Sequence, residues 1–219
     1  MRSLLLIGAL LMTAPAQAET DWKLVIHGGA GVIERSKMAP EKDPEIRAAL
    51  DRALATGSGI LESGGGALDA VEATVRVLED DPNFNAGKGA VFTYEGTSEL
   101  DASIMDGRDR SAGAVTGVST TRNPISLARA VMEKSPHVFL SEDGADQFAR
   151  EQGLPQVPNA YFATPERRRQ LEEMKAKNLS ALEVEYKYGT VGAVALDRGG
   201  HVAAATSTRG MTGKRWGRI

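Results

Sequence analysis

The sequence predicts one domain of mixed helices and strands, and three observations carry that expectation. Stretches of helical spacing alternate with short apolar runs of β type along most of the 219 residues. Two apolar runs, residues 190–196 and 202–207, flank Asp197-Arg198-Gly199-Gly200 and read as a hairpin. Glycine is abundant, at 24 residues, which suits tight turns and close backbone approaches. Both hairpin strands are apolar nearly throughout, so both of their faces are expected to be covered.

The elements follow in order. Arg2, the apolar run 4–12 and the small-residue site Ala16-Gln17-Ala18 read as a signal peptide over residues 1–18. Cutting after Ala18 implies export, to a bacterial periplasm or the exterior. Residues 23–26 form a strand that runs into a glycine turn. Asp43 is a good N-cap with Pro44 at the first helical position, and Ile46, Leu50 and Leu54, with Ala53 and Gly57, fall at helical spacing. Ser63-Gly64-Gly65-Gly66 breaks that helix. A second helix over residues 67–79 puts Leu68, Val71, Val75 and Leu78 on one face. Residues 102–105 and 112–118 read as strands. A helix at 124–133 turns Ile125, Ala128 and Met132 inward, followed by a short strand at 138–140 and a helix at 144–151. Residues 154–188 differ in texture, with Pro155, Pro158, Pro165 and Arg167-Arg168-Arg169 among many acids. Thr164-Pro165 starts a helix there, and the whole stretch is expected to act as a mobile linker ending a segment 19–189. Residues 190–219 begin a second segment.

Composition narrows the chemistry. A net charge of −3 and the lack of a basic tract argue against nucleic acid as a partner. The chain has no Cys, so a disulfide framework, a thiolate metal site and a cysteine nucleophile are excluded. His27 and His137 are scattered and read as structural, since no His, Asp and Glu cluster has metal-ligand spacing. Asp101 and Asp106 are expected to close turns around a strand. No later run is long and apolar enough for a membrane span.

The most informative stretch is Gly189-Thr190-Val191-Gly192, where a threonine after a glycine opens a β-type run. The Thr190 hydroxyl can reach the Gly189 carbonyl through a five-membered ring. Attack there shifts the acyl group from nitrogen to oxygen, and water then cuts the ester. The freed α-amine has an ordinary pKa of about 8, so one residue would carry nucleophile and base together. An ordinary core strand that begins Gly-Thr fits the same stretch.

Further blocks decide between these. Ile26-His27-Gly28-Gly29-Ala30-Gly31, Asn85-Ala86-Gly87-Lys88-Gly89-Ala90, Glu99-Leu100-Asp101-Ala102-Ser103, Ser135-Pro136-His137-Val138 and Ala205-Thr206-Ser207-Thr208 stand in one order around Gly189-Thr190. Together they resemble the plant-type asparaginase/isoaspartyl peptidase family of N-terminal nucleophile hydrolases, from residue 22 to 219. The resemblance implies a four-layer αββα sandwich with two mostly antiparallel sheets. It implies cleavage between Gly189 and Thr190, Thr190 as nucleophile, and Thr208 as the second threonine that positions it. Arg218 matches the arginine that grips the substrate α-carboxylate, a task that suits a guanidinium fork. Asn85 supports the site. Leu78, Glu79, Asp81, Phe84, Ala86 and Lys88 match a loop whose backbone carbonyls enclose a sodium ion; no other cofactor is implied. Substrates would be β-aspartyl peptides and asparagine, and the partner would be a second copy, as a homodimer of cleaved pairs. A glycosylasparaginase-like amidase is the alternative, and a non-catalytic remnant is the other.

The sequence also departs from the family pattern. Arg209 stands where members usually have Gly, and is expected to crowd the nucleophile or lower the pKa of its amine. Gly213 stands where Asn is common. The family pattern continues past Ile219, with an acid for the substrate α-amine and donors for the oxyanion hole, commonly worth some 3–4 kcal/mol each. The chain as written is therefore expected to be poorly active.

Overall fold

The computed structural model of the protein describes residues 21–29, 39–178 and 189–218. The residues read as a signal peptide lie outside these, as does the stretch 179–188 of the expected linker.

Among the described residues six strands form one sheet. They are β1 (Lys23–His27), β2 (Leu100–Asp106), β3 (Ala112–Val118), β4 (Phe139–Ser141), β5 (Val191–Leu196) and β6 (Val202–Thr208), in the order β1-β5-β6-β2-β3-β4. Among these six strands only β3 and β4 pair in parallel. The expected hairpin is β5–β6, closed by Asp197 N–H donating to His201 O and Gly200 N–H donating to Asp197 O, each at 3.0 Å. Its Ala193, Ala195, Ala203 and Ala205 share the core with Val71, Val75 and Leu78 of α2 (Ala67–Glu79). Small side chains on the sheet let that helix lie close. Full burial of each α2 aliphatic contributes roughly 1.5–3 kcal/mol.

Helices α1 (Lys42–Glu62), α2 and α3 (Pro124–Lys134) cover the sheet, with α4 (Glu142–Glu151) against β3 and β4. α1 begins before the expected cap. Its N-cap is Glu41, and Asp43 lies inside the helix, 3.0 Å from Arg47 one turn on. An i,i+4 ion pair in the first turn replaces the cap. The buried stripe of α1 is Ala49, Ala53, Gly57 and Leu61, while Leu54 is exposed. Gly57 is the close approach, because a Cβ there would run into Thr74 Oγ1 of α2.

The expectation that both faces of the hairpin are covered is not met among the described residues. Val25 pairs with Val194, Val194 with Ala204, and Ala204 with Met105. That row is bare: Val25 is 69% exposed, Val194 48% and Met105 42%. The reason is strand alternation, since α1, α2 and α3 all cover the opposite face.

Asp106 closes the β2–β3 turn as expected, accepting from Arg108 N–H at 2.9 Å. Asp101 does something else. It sits at a register irregularity between β2 and β3, buried, and accepts from Thr116 Oγ1 at 2.6 Å and Gly117 N–H at 3.0 Å.

The helix expected at Thr164-Pro165 is α5 (Pro165–Ala176), capped by Thr164 Oγ1 accepting from Arg167 N–H at 3.2 Å. Leu171 and Met174 bury against Phe92, and Arg167 Nε donates to Gly89 O at 2.8 Å. This part of the expected linker is thus a docked helix.

Candidate active site

Thr190 immediately precedes β5, and Thr208 is the last residue of β6. The pairing of Val191 with Ser207 carries one step further to set these two threonines opposite each other. Thr190 Oγ1 donates to Thr208 Oγ1 at 3.0 Å, and both residues are partly exposed on the sheet face that the helices leave bare. Thr208 Oγ1 also accepts from Gly210 N–H at 3.0 Å. The turn after β6 therefore fixes the Thr208 hydroxyl, and that hydroxyl orients Thr190.

Asn85 holds the same turn from beneath. It is fully buried; its Nδ2 donates to Gly210 O at 2.8 Å and its Oδ1 accepts from Val91 N–H at 2.9 Å. Gly210 adopts φ +72°, and a Cβ there would lie 2.7 Å from Arg218 Nη1. The absent side chain gives room for the Arg218 guanidinium beside the threonine pair. Gly29, at φ +134°, performs a similar service on the other side. A Cβ on it would fall inside contact with the Gly189 carbonyl oxygen. The structure thus gathers Gly189, Thr190, Thr208, Asn85 and Arg218 from elements far apart in sequence.

His27 lies over Gly192, where a Cβ would meet its ring. His137 serves its turn through the backbone, with its N–H donating to Ser135 Oγ at 3.1 Å. Among the described residues no group of three or more His, Cys, Asp or Glu side chains is placed to hold a metal ion. Among them, too, no helix is long and apolar enough to cross a membrane.

The loop from Leu78 to Lys88 folds around backbone oxygens. Lys88 N–H donates to Glu79 O at 2.7 Å. Gly87 (φ +48°) and Gly89 (φ +101°) are pressed against the carbonyls of Glu79, Pro82 and Phe84, so side chains there would fill the loop. The Asp81 carboxylate is engaged elsewhere, accepting from Asn83 N–H at 2.9 Å and pairing with Arg52 at 2.8 Å. Hard carbonyl oxygens with spare lone pairs fit a sodium-sized cation. Glu79 itself is fully buried and accepts from Ile125 N–H at 3.0 Å; burial pushes its carboxyl up to about 8.

Two buried cations complete the surroundings. Arg209 does not lean over Thr190. It is fully buried, its Nη2 donates to Thr97 O, and its guanidinium lies 5.8 Å from the Phe92 ring centroid. Among the described residues its Nε and Nη1 have no hydrogen-bond partner, and burial pushes its pKa down to about 9. Lys214, which sequence reasoning passed over, is buried 3.5 Å from both Asp101 and Glu99. Its only sequence signal is a lysine between Gly213 and Arg215, too common to single out.

Residues 20–219 match the family Asparaginase_2, described as Asparaginase. The chain is 48% identical over 203 residues to the isoaspartyl peptidase of Salmonella typhimurium, covering 90% of the chain and 65% of that protein. It is 48% identical over 198 residues to the isoaspartyl peptidase/L-asparaginase of Homo sapiens, covering 90% and 63%. With the isoaspartyl peptidase of Escherichia coli the identity is 47% over 203 residues, covering 90% and 63%. The chain thus spans less than two thirds of the length of these relatives.

Proposed function

Since the chain belongs to the asparaginase family that it matches over residues 20–219, we propose that it is an autocleaving hydrolase of β-aspartyl peptide bonds and of the asparagine side-chain amide. The observation that carries this reading is the 3.0 Å bond from Thr190 Oγ1 to Thr208 Oγ1, directly after the Gly189 carbonyl that Gly29 leaves room for.

In the first reaction Thr190 Oγ attacks the Gly189 carbonyl carbon, and the C–N bond breaks as the acyl group moves to oxygen. Water hydrolyses the ester, leaving a Gly189 carboxylate and a Thr190 α-amine. In the second, that amine takes the hydroxyl proton while Oγ attacks the substrate carbonyl, and the proton passes to the leaving nitrogen. Water then releases aspartate from the acyl-enzyme. Thr208 orients the hydroxyl, Arg218 grips the α-carboxylate in two places, and Asn85 holds the turn that carries both.

The bare row of Val25, Val194, Ala204 and Met105 supports a second sheet packed on this face, as in a four-layer sandwich. The carbonyls of Leu78, Glu79, Asp81, Phe84, Ala86 and Lys88 would hold a structural sodium ion, whose charge would stiffen the loop below Asn85. Export to the periplasm and a homodimer of cleaved pairs complete the proposal.

The test is to incubate the purified chain, run denaturing electrophoresis, and sequence the N-terminus of any new fragment. A fragment that begins at Thr190, absent from Thr190→Ala, is the expected result, with any ammonia release from asparagine following its appearance. A chain that stays whole after long incubation overturns the reading.

A further inference from the structure

A polar row crosses the bare face of the sheet, and the reaction above uses only half of it. Thr190 lies opposite Thr208, and Thr208 in turn pairs with Asp101 of β2. Directly opposed residues turn their side chains to one face, with Cβ atoms about 4.5–5.5 Å apart. Asp101 therefore flanks Thr208 on one side as Thr190 flanks it on the other. Asp101 Oδ1 accepts from Thr116 Oγ1 at 2.6 Å and from Gly117 N–H at 3.0 Å, both on β3. Those bonds fix the carboxylate and leave its Oδ2, which lies 3.5 Å from Lys214 Nζ.

Lys214 reaches this row from the turn that begins at Thr208. The chain leaves β6 there and bends through Gly210 (φ +72°) and Gly213 (φ +71°). Lys214 N–H then donates to Met211 O at 3.2 Å, and Lys214 O accepts from Tyr94 N–H at 3.1 Å. The Lys214 side chain is only 3% exposed, and its ammonium reaches Glu99 Oε2 at 3.5 Å as well as Asp101. It thus returns to the strand partner of the residue where the turn started. The turn is a loop closed by backbone at Thr208 and by an ion pair at Asp101. Gly210, whose N–H donates to Thr208 Oγ1 at 3.0 Å, lies inside that loop. Asn85 holds Gly210 O, and Lys214 holds the far end. Desolvation offsets much of the attraction in a buried ion pair, so its stabilising effect is small beside its effect on geometry.

We propose that Lys214, through its ion pair with Asp101, is a positioning residue for Thr208. It holds the turn so that Gly210 N–H meets the Thr208 hydroxyl and that hydroxyl meets Thr190. The inference rests on the hydrolase reading above and deepens it by naming a residue that acts on the site through Thr208 rather than through substrate.

The experiment follows self-cleavage over time in the protein and in Lys214→Met, Lys214→Arg and Asp101→Asn, each with and without Thr208→Ala. Lys214→Met should slow cleavage on the order of tenfold, a partial loss of the alignment that Thr208→Ala removes outright. Asp101→Asn keeps an acceptor for Thr116 and Gly117 but loses the ion pair, and should slow cleavage to a similar extent. Lys214→Arg keeps the charge and should retain most of the rate. With Thr208 already alanine, Lys214→Met and Asp101→Asn should slow cleavage no further, since the residue they act through is gone. Equal slowing with and without the Thr208 hydroxyl overturns the proposal, because a general loosening of the fold acts in both. If Lys214→Met does not fold, Asp101→Asn makes the same comparison.

A second readout needs no cleavage. Methyl NMR on threonine-labelled protein, with the Thr208 signal assigned by its loss in Thr208→Ala, reads the Thr208 rotamer through three-bond couplings. A single rotamer in the parent that is averaged in Lys214→Met and restored in Lys214→Arg supports the proposal even in a chain that stays whole, in which case the hydrolase reading alone falls. A Thr208 rotamer unchanged in both Lys214→Met and Asp101→Asn overturns the proposal and leaves the hydrolase reading standing.

Discussion

Thr190 Oγ1 and Thr208 Oγ1 lie 3.0 Å apart, joining the residue just ahead of one strand of the central hairpin to the residue that ends the other. Because Thr208 is itself fixed by Gly210 N–H, removing its hydroxyl frees the Thr190 side chain to rotate. Thr208→Ala is expected to slow self-cleavage on the order of a hundredfold, the usual cost of losing alignment at a reacting group. Thr190→Ala is expected to stop it. Band intensities over a time course on denaturing gels read both.

Two glycines should respond in opposite ways to alanine. Gly29 has φ +134° and no room beside Gly189 O, so Gly29→Ala should displace the scissile carbonyl and block cleavage. Gly59 lies inside α1 with nothing within 4 Å of its missing Cβ. Gly59→Ala should stabilise the fold by about 0.5–1 kcal/mol through helix propensity, with cleavage unaffected. Urea midpoints together with the cleavage gel separate the two outcomes.

Asn85 spends both ends of its amide on the turn at Gly210 and the strand-like segment at Val91. Asn85→Ala leaves a buried carbonyl and a buried N–H unpaired, a cost of about 2–4 kcal/mol. The melting temperature should fall by several degrees, and Asn85→Asp, which keeps one acceptor, should fall between. A melting curve identical to the parent would remove Asn85 from its place as the support of this turn.

Asp146 sets an acid limit on stability. It is buried and accepts from Ser119 N–H (2.8 Å), Thr121 N–H (3.0 Å) and Thr121 Oγ1 (2.7 Å). Burial works against its charge, but the Ser119 backbone and the Thr121 and Ser119 hydroxyls outweigh it and hold the carboxyl below its usual range. A lowered carboxylate pKa gives stability that is complete above the ordinary value of 3.8 and is lost as pH falls through the folded value. Asp146→Asn should therefore be less stable at neutral pH by about 1–3 kcal/mol and lose less on acidification. Denaturant titrations at neutral pH and at several acid values test both limbs.

Arg209 is an expensive burial. Among the described residues only one of its guanidinium nitrogens has an acceptor, Thr97 O, and two have none. Arg209→Met keeps the length and the contact with Phe92 while removing an unpaired charge, and should raise stability by about 1–3 kcal/mol. A lower denaturation midpoint would show that the cation is compensated in a way the Thr97 bond alone does not supply.

Much of the fold could be read from local pattern. Helix α2, strand β3 and the β5–β6 hairpin stand where periodicity and turn residues put them, because their apolar spacing matches a single period. The start of α1 was misread, since Asp43-Pro44 looks like a cap and first turn while the structure uses Asp43 to pair with Arg47. The role of Asp101 was misread for a different reason. A turn aspartate and a buried aspartate at a sheet irregularity look alike in sequence, and only the position of Thr116 and Gly117 distinguishes them. Lys214 was illegible, because its place depends on Glu99 and Asp101, which lie far back in the chain.

The sequence by itself determined the family and the order of the elements, since these depend on residue type and local spacing. Tertiary structure alone decided that Thr190 faces Thr208, that Arg218 lies against Gly210 and that Gly29 meets Gly189 O. The physical reason is strand register. A slip of one residue between β5 and β6 would turn every side chain to the other face, and no local pattern of apolar residues in two alanine-rich strands fixes that register without the helices packed beneath them.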